Sequence, residues 1–392
     1  MRLLFVTPRL PFLPCHDAAR LAVSRLLDHL VDRHTVAVVA ATRAGDTPAQ
    51  RAWLAERAAR VETVPLGTWR QAWTGRPGNG LLALDALARH VADRFAPDVI
   101  HLEDGVLAPL ARGAAAPTLL ACHEAATLHA RDVRRAGESA SRRLAAWMDE
   151  RAETAWAREW FRFAGACVVD AEEDRHALLE HVPVRHVAVV PGGIDEVTYA
   201  YRRRGAPGRL VFTGDLSAPR DVAAARRLAT AILPRLRRAM PRVELLVAGT
   251  DRPADGARAL GALPGVRVAG GLADLRASIW GAAVYVSPLE AGFGRKTRLF
   301  EPMALGTPVV ASRPTVAGIP YVEAGQHVLV ADGDDEFAET IVRLLREPLV
   351  ANTLARSART LIERRFTWAA VAERYEAIYA GLAPSRAMEV AA

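Results

Sequence analysis

Between Val284 and Ser312 the chain spells out a strand, a glycine loop, a helix, a glycine turn and a second strand. Val284-Tyr285-Val286 is a β-branched and aromatic run suited to a buried strand, and Gly292 and Gly294 beyond it let the backbone turn tightly and approach a ligand. A helix is expected from near Lys296; Gly306 and Pro308 end it, and Val309-Val310-Ala311 supplies the next strand. A helix start presents unpaired N–H groups and a partial positive charge, so a loop of this kind cradles an anion such as phosphate without needing a metal. Lys296 and Arg298 add full charges there, and Lys296 is the only lysine among 51 Lys and Arg residues. A lone lysine beside a glycine loop fits a need for a compact point charge, with chance placement as the alternative.

The same alternation runs through the rest of the sequence. Leu3-Leu4-Phe5-Val6 reads as a parallel-type strand, followed by a proline-rich loop from Pro8 to Pro14, an amphipathic helix from about Asp17 to Asp32 and the strand Val36–Ala40. Residues 44–80 are broken by Pro and Gly and carry Trp69 and Trp73. Asp98–Asp104 is a strand ending in Glu103-Asp104, and Thr118–Glu124 is another ending in His123-Glu124. Residues 138–163 read as a long arginine-rich helix with a Trp147, Trp156, Trp160 and Phe163 stripe. The strands Ala166–Asp170 and Val187–Val190 complete a first run. A second run holds the strands Leu210–Thr213, Val243–Ala248 and Val266–Ala269, and later helices over 335–347 and 350–365. Two successive β/α runs give an α/β chain of two facing Rossmann-like domains, with ligand loops at the carboxyl ends of their strands.

At 392 residues, 51% hydrophobic and 24% charged, the chain suits two globular cores. No apolar run approaches the roughly 18 to 20 residues that span a bilayer, and the first eight residues are too short for a signal peptide, so a cytoplasmic protein is expected. Cys15, Cys122 and Cys167 lie far apart with no Cys-x-x-Cys pair, against a disulfide framework or a zinc site. Residues 1–200 hold 24 Arg against 25 Asp and Glu, for −1, while the remainder holds 27 basic residues against 19 acidic, for +8. The basic half is the one with the anion loop, as steering of an anionic ligand favours. Basic residues scattered along helices, with no aromatic platform, argue against nucleic acid.

Residues 284–312 resemble the donor-binding signature of the family 4, or group 1, retaining glycosyltransferases of the GT-B fold, through Glu301, Ala304, Gly306, Pro308, Val309 and Val310. The resemblance extends loosely to most of the chain. It implies an N-terminal acceptor-binding domain over 1–195, a linker over 196–208, a sugar-nucleotide domain over 209–366 and a helix over 367–383 crossing back to the first domain. It further implies that Glu301 holds the ribose of a UDP-, GDP- or dTDP-linked sugar, and that the helix start with Lys296 or Arg298 takes the diphosphate beside Gly292, Phe293 and Gly294. Gly214 and Arg220 match the other phosphate loop, where Asp215 replaces the family's arginine. Gly249 and the stretch Val268 to Gly270 would take the base. Many members carry two glutamates separated by seven residues, whereas Glu290 and Glu301 have ten between them, so Glu290 carries over weakly to the sugar.

On the acceptor side the family often has a glycine pair where Cys15-His16-Asp17-Ala18 stands, which makes His16 and Asp17 side-chain candidates, Asp17 also fitting a helix cap. His123 resembles the family histidine that faces the donor sugar across the cleft, and Glu103, Asp104 and Glu124 are further acceptor-side candidates. The function implied is metal-independent transfer of a sugar from a nucleoside diphosphate to an acceptor hydroxyl on a small molecule, glycan or lipid-linked compound, with no resident cofactor and at most peripheral membrane contact. A sugar-nucleotide epimerase and a non-catalytic binding subunit stay open; a nicotinamide-type oxidoreductase is disfavoured because no Gly-x-Gly-x-x-Gly follows the first strand.

Overall fold

The computed structural model describes residues 1–15, 17–70, 76–123, 140–202, 205–290 and 296–383, apart from the side chains of 18, 142, 296 and 297. The chain forms two compact units, one of residues 1–192 with the segment from Trp368, the other of Gly193–Thr367.

The first unit is built on a seven-stranded sheet of order β3-β2-β1-β4-β5-β6-β7. Its strands are β1 (Arg2–Thr7), β2 (Thr35–Thr42), β3 (Arg60–Pro65), β4 (Val99–Glu103), β5 (Thr118–His123), β6 (Ala166–Val169) and β7 (Val187–Val189). Every pairing is parallel. Leu3, Leu4, Phe5 and Val6 are fully buried, as a central strand covered on both faces requires. The order reverses between β1 and β4, and ligands of such sheets bind beyond the carboxyl ends of the strands at that point. The described part of residues 44–80 is more regular than its sequence suggests: Pro48–Ala55 is a helix with a Thr47–Gln50 capping box, and β3 is an edge strand. The half-exposed alternation of β3, with Arg60 and Glu62 between its apolar positions, is why it lacks the continuous apolar signal of the inner strands. Of the tryptophan stripe, Trp156 is buried and its Nε1 donates to the Gly105 carbonyl at 3.0 Å, whereas Trp147 is exposed. Trp69 packs partly buried against the same core, and Trp73 lies outside the described residues.

The helix Trp368–Leu382 belongs to this unit. Trp368, Val371, Ala372, Tyr375 and Tyr379 enter its core, while Glu376 pairs with His34 at 2.7 Å. Burying a large apolar side chain stabilises by about 1.5–3 kcal/mol, so these residues tie the helix firmly into the unit.

The second unit has a six-stranded sheet of order β10-β9-β8-β11-β12-β13, again all parallel. Its strands are β8 (Ala206–Thr213), β9 (Glu244–Ala248), β10 (Val266–Ala269), β11 (Ala282–Ser287), β12 (Val309–Ala311) and β13 (Leu329–Val330). The order reverses between β8 and β11. Of residues 196–208, expected as a linker, the described ones belong to this unit: the Arg202 amide donates to the Leu305 carbonyl at 3.0 Å and β8 begins at Ala206, paired with Ala282. A polar, glycine-containing stretch resembles a linker until its backbone finds partners distant in sequence. The helix expected near Lys296 is a single 3-10 turn, Lys296–Leu299, running into Phe300–Leu305, and Gly306 ends it at a φ of 83°, in the left-handed region glycine tolerates. Among the described residues no helix is long and apolar enough to cross a membrane.

Candidate active site

In the first unit the carboxyl ends of β4, β5 and β6 bring Glu103, His123 and Asp170 together. A register shift between Ala121 and His123 leaves His123 at a φ of 57°, a conformation uncommon for a non-glycine residue. Its Nε2 lies 2.6 Å from Glu103 Oε1 and its Nδ1 3.2 Å from Asp170 Oδ1. Ionised carboxylates only accept, so both ring nitrogens carry protons and the ring is an imidazolium. Burial alone would lower the pKa of His123, but the charges of Glu103 and Asp170 outweigh it and raise it to about 10. Burial would raise Glu103, yet the His123 charge and the bonds from His101 and His123 hold it well below the usual carboxylate range.

Two other acceptor-side candidates, Asp17 and Asp104, cap helices in this unit. Asp17 caps the helix Ala18–Leu30 by accepting from the Arg20 amide at 3.0 Å, and it also pairs with Arg9. Asp104, at a φ of 101°, accepts from the Val106 amide at 2.9 Å and caps the following 3-10 turn. His16 and Glu124 lie outside the described residues. The sequence reading missed His101, which stands two residues before Glu103 on the same face of β4; a polar residue inside an apolar strand was the available signal.

In the second unit the site lies at the ends of β8 and β11, the reversal point of its sheet. After β8, Asp215, which replaces the family arginine, folds the loop by accepting from the Ser217 amide at 2.9 Å and hydroxyl at 2.6 Å. Asp221, in the first turn of the next helix, is fully buried and takes the Arg298 guanidinium as a two-pronged pair at 3.0 and 2.5 Å. It also accepts from the Asp215 amide at 2.8 Å and from Arg220 Nε at 3.3 Å. Burial raises the Asp221 carboxyl, but the Arg298 charge more than offsets this and keeps it ionised. The pair ties Arg298 to the start of the helix that follows the β8 loop. Asp221 went unread because an acid at a helix start normally serves the helix dipole alone.

Glu301 is half-buried and its Oε1 accepts from the Tyr199 hydroxyl at 3.1 Å, while burial raises its pKa. Gly214 and Gly249 bring the β8 and β9 loops into close approach: a Cβ at Gly249 would lie 2.6 Å from the Gly214 carbonyl oxygen, and one at Gly214 2.8 Å from Asp221 Oδ2. Val268 packs partly buried against the core and Gly270 follows β10, where a Cβ would meet Pro253 at 2.3 Å. Glu290 is exposed three residues past the end of β11. Gly292, Phe293 and Gly294 lie outside the described residues, as does the Lys296 side chain.

These two sites sit on a chain with known relatives. Residues 207–347 match the family profile for group 1 glycosyl transferases, and residues 21–197 match that for Glycosyltransferase Family 4. A curated relative, glycogen synthase of Mycobacterium tuberculosis, is 31% identical over 204 residues, covering 49% of this chain and 48% of its own. The chain thus spans about half the length of the curated relatives it matches. Similar solved structures include HepE of Anabaena in complex with UDP, with a TM-score of 0.64 and 17% identity over 97% of this chain and 100% of that one. Sucrose-phosphate synthase of Thermosynechococcus elongatus gives a TM-score of 0.67 at 17% identity, and a glycosyltransferase of Rickettsia africae 0.68 at 10%, each over 97% of this chain and 99% of the other. At these identities the structures speak for the fold, which is the pair of parallel-sheet units described above. With both halves matched by glycosyltransferase family profiles, the chain belongs to the group 1 glycosyltransferases of the GT-B fold.

Proposed function

We propose that this chain is a retaining, metal-independent glycosyltransferase whose second unit binds a nucleoside diphosphate sugar and whose first unit holds the acceptor. The observation that carries the reading is the cluster at the reversal point of the second sheet, where Glu301, Arg298 and Arg220 are gathered around the glycine-bearing β8 loop. A half-buried carboxylate can accept from a ribose hydroxyl pair, and cations beside a glycine loop can take a diphosphate. Lys296, Arg220 and Arg298 then stabilise the departing diphosphate electrostatically, the work that a divalent ion does in other transferases. The Asp-x-Asp spacing occurs at Asp332 and Asp334, but Arg313 holds the first at 3.1 Å and Arg227 the second at 2.8 Å, which supports a cationic site over a metal one.

In the first unit His123 orients the sugar. Both of its ring nitrogens are engaged by carboxylates, so it acts through the position and charge of its ring and not by passing a proton. The acceptor is a hydroxyl compound such as a glycan. HepE was solved with UDP and with UDP-glucose, which makes uridine donors the first to try on this chain. Calorimetric titration with UDP, GDP and dTDP tests the donor half. One of the three should bind to the wild type and lose roughly tenfold or more in affinity to Glu301→Ala, as loss of a charge-assisted hydrogen bond implies. Equal affinity in both proteins would remove Glu301 from the site.

A further inference from the structure

We propose that Tyr379 and His101 are positioning residues for His123, through which the C-terminal helix fixes the orientation of the strand-end imidazole. The proposal rests on the reading of His123 as a residue acting on the sugar. It stands on an unbroken buried chain of side chains within the first unit. The Tyr379 hydroxyl lies 2.7 Å from His101 Nδ1, His101 Nε2 lies 3.0 Å from Glu103 Oε2, and Glu103 Oε1 lies 2.6 Å from His123 Nε2. Asp170 closes the chain on His123 Nδ1 at 3.2 Å. Tyr379 and His101 are fully buried.

One proton arrangement satisfies every link. Glu103 can only accept, so His101 carries its proton on Nε2; its Nδ1 then accepts, and the Tyr379 hydroxyl donates to it. Burial lowers the His101 pKa and keeps that ring neutral, consistent with this tautomer. Glu103 thereby takes one N–H on each oxygen, which fixes the plane of its carboxylate and with it the tilt of the His123 ring. The His101 ring is itself locked, stacked on Phe5 with centroids 4.3 Å apart and a 16° interplanar angle. Among the described residues, the titratable groups around this chain of side chains include Asp104, Tyr375 and Glu376 besides Glu103, Asp170 and Tyr379 themselves. A core needing only volume would fill these positions with apolar side chains, which bury at no polar cost. A fully satisfied polar chain instead specifies one geometry, and here that geometry ends on the strained His123.

Nuclear magnetic resonance of the full chain carrying isotope-labelled histidine, assigned with His123→Asn and His101→Gln, reads the chain directly. In the wild type His101 should be the neutral Nε2–H tautomer and His123 should keep both ring protons until about pH 10. A His101 protonated on Nδ1, or a His123 titrating near the ordinary value of about 6.5, overturns the proposal without any variant. Tyr379→Phe keeps the ring and removes only the donor, and His101→Phe keeps the stack on Phe5 and removes both nitrogens. Each should shift the His123 titration midpoint by about one pH unit or more, a tenfold change in its proton equilibrium, and lower kcat about tenfold with donor KM changed less than about twofold. His101→Gln, whose amide can still donate to Glu103, should stay close to wild type in both readouts. Folded Tyr379→Phe and His101→Phe proteins with unaltered His123 titration and kcat would refute the positioning role. If instead His123→Asn transfers sugar at the full rate, the reading of His123 itself fails, whatever the titrations show.

Discussion

Replacing Asp221 by asparagine would leave the Arg298 guanidinium in its buried seat with its charge partner gone. Breaking one side of such a pair costs about 3–5 kcal/mol, far more than an exposed ion pair contributes, because the remaining charge has been taken out of water. Asp221→Asn should therefore destabilise the second unit by about 3 kcal/mol in urea unfolding and free the loop that carries Arg298. An unchanged midpoint would mean that the pair does not hold that loop. A second prediction at this scale concerns His123. Its pKa rises from about 6.5 unfolded to about 10 folded, so between those values the folded state holds the extra proton. The stabilisation is complete below about pH 6.5, shrinks as pH climbs through the window and is gone above about 10. The stability difference between wild type and His123→Asn, measured at pH 6, 8 and 10, should narrow with rising pH, and a gap that widens would contradict the imidazolium assignment. Glu103 has the opposite sign: its depressed pKa contributes above the ordinary carboxylate value and is lost on acidification.

Among the elements, the strands with continuous apolar runs, β1, β4, β5, β8, β9 and β11, could be read from the sequence, because a buried parallel strand needs no alternation to announce itself. The edge strands β3 and β13 could not, being half-exposed and, in β13, two residues long. The glycine loops were legible as loops, while the reason for each glycine lay in contacts between loops. Gly249→Ala tests this directly. Its Cβ would meet the Gly214 carbonyl at 2.6 Å and Leu216 at 2.8 Å, so the β8 loop must shift. Overpacking of this kind costs about 1–3 kcal/mol, and donor affinity should fall with stability because Gly214, Asp215 and Asp221 move together. A variant that binds nucleoside diphosphate as the wild type does would show that the loop does not contact the donor.

For the whole molecule, the two β/α runs point to the fold, the charge contrast between halves to the side that takes an anionic ligand, and the Glu301 signature to the family. The pairing of side chains far apart in sequence was beyond reach: His101 meets Tyr379 across 278 positions, and Tyr199 meets Glu301 across 102. Those choices are made by tertiary packing, which brings together residues whose local sequence carries no sign of their partner. The central claim is sugar transfer with retention and without a metal, and proton magnetic resonance of the reaction tests it most directly. Wild-type protein is mixed with α-linked uridine, guanosine and thymidine diphosphate sugars and candidate hydroxyl acceptors in excess chelator, and the anomeric signal of the first product is recorded. The account predicts release of nucleoside diphosphate and an α-configured product while chelator is present. A β-configured product, or turnover that stops with chelator and returns with magnesium or manganese, would contradict it.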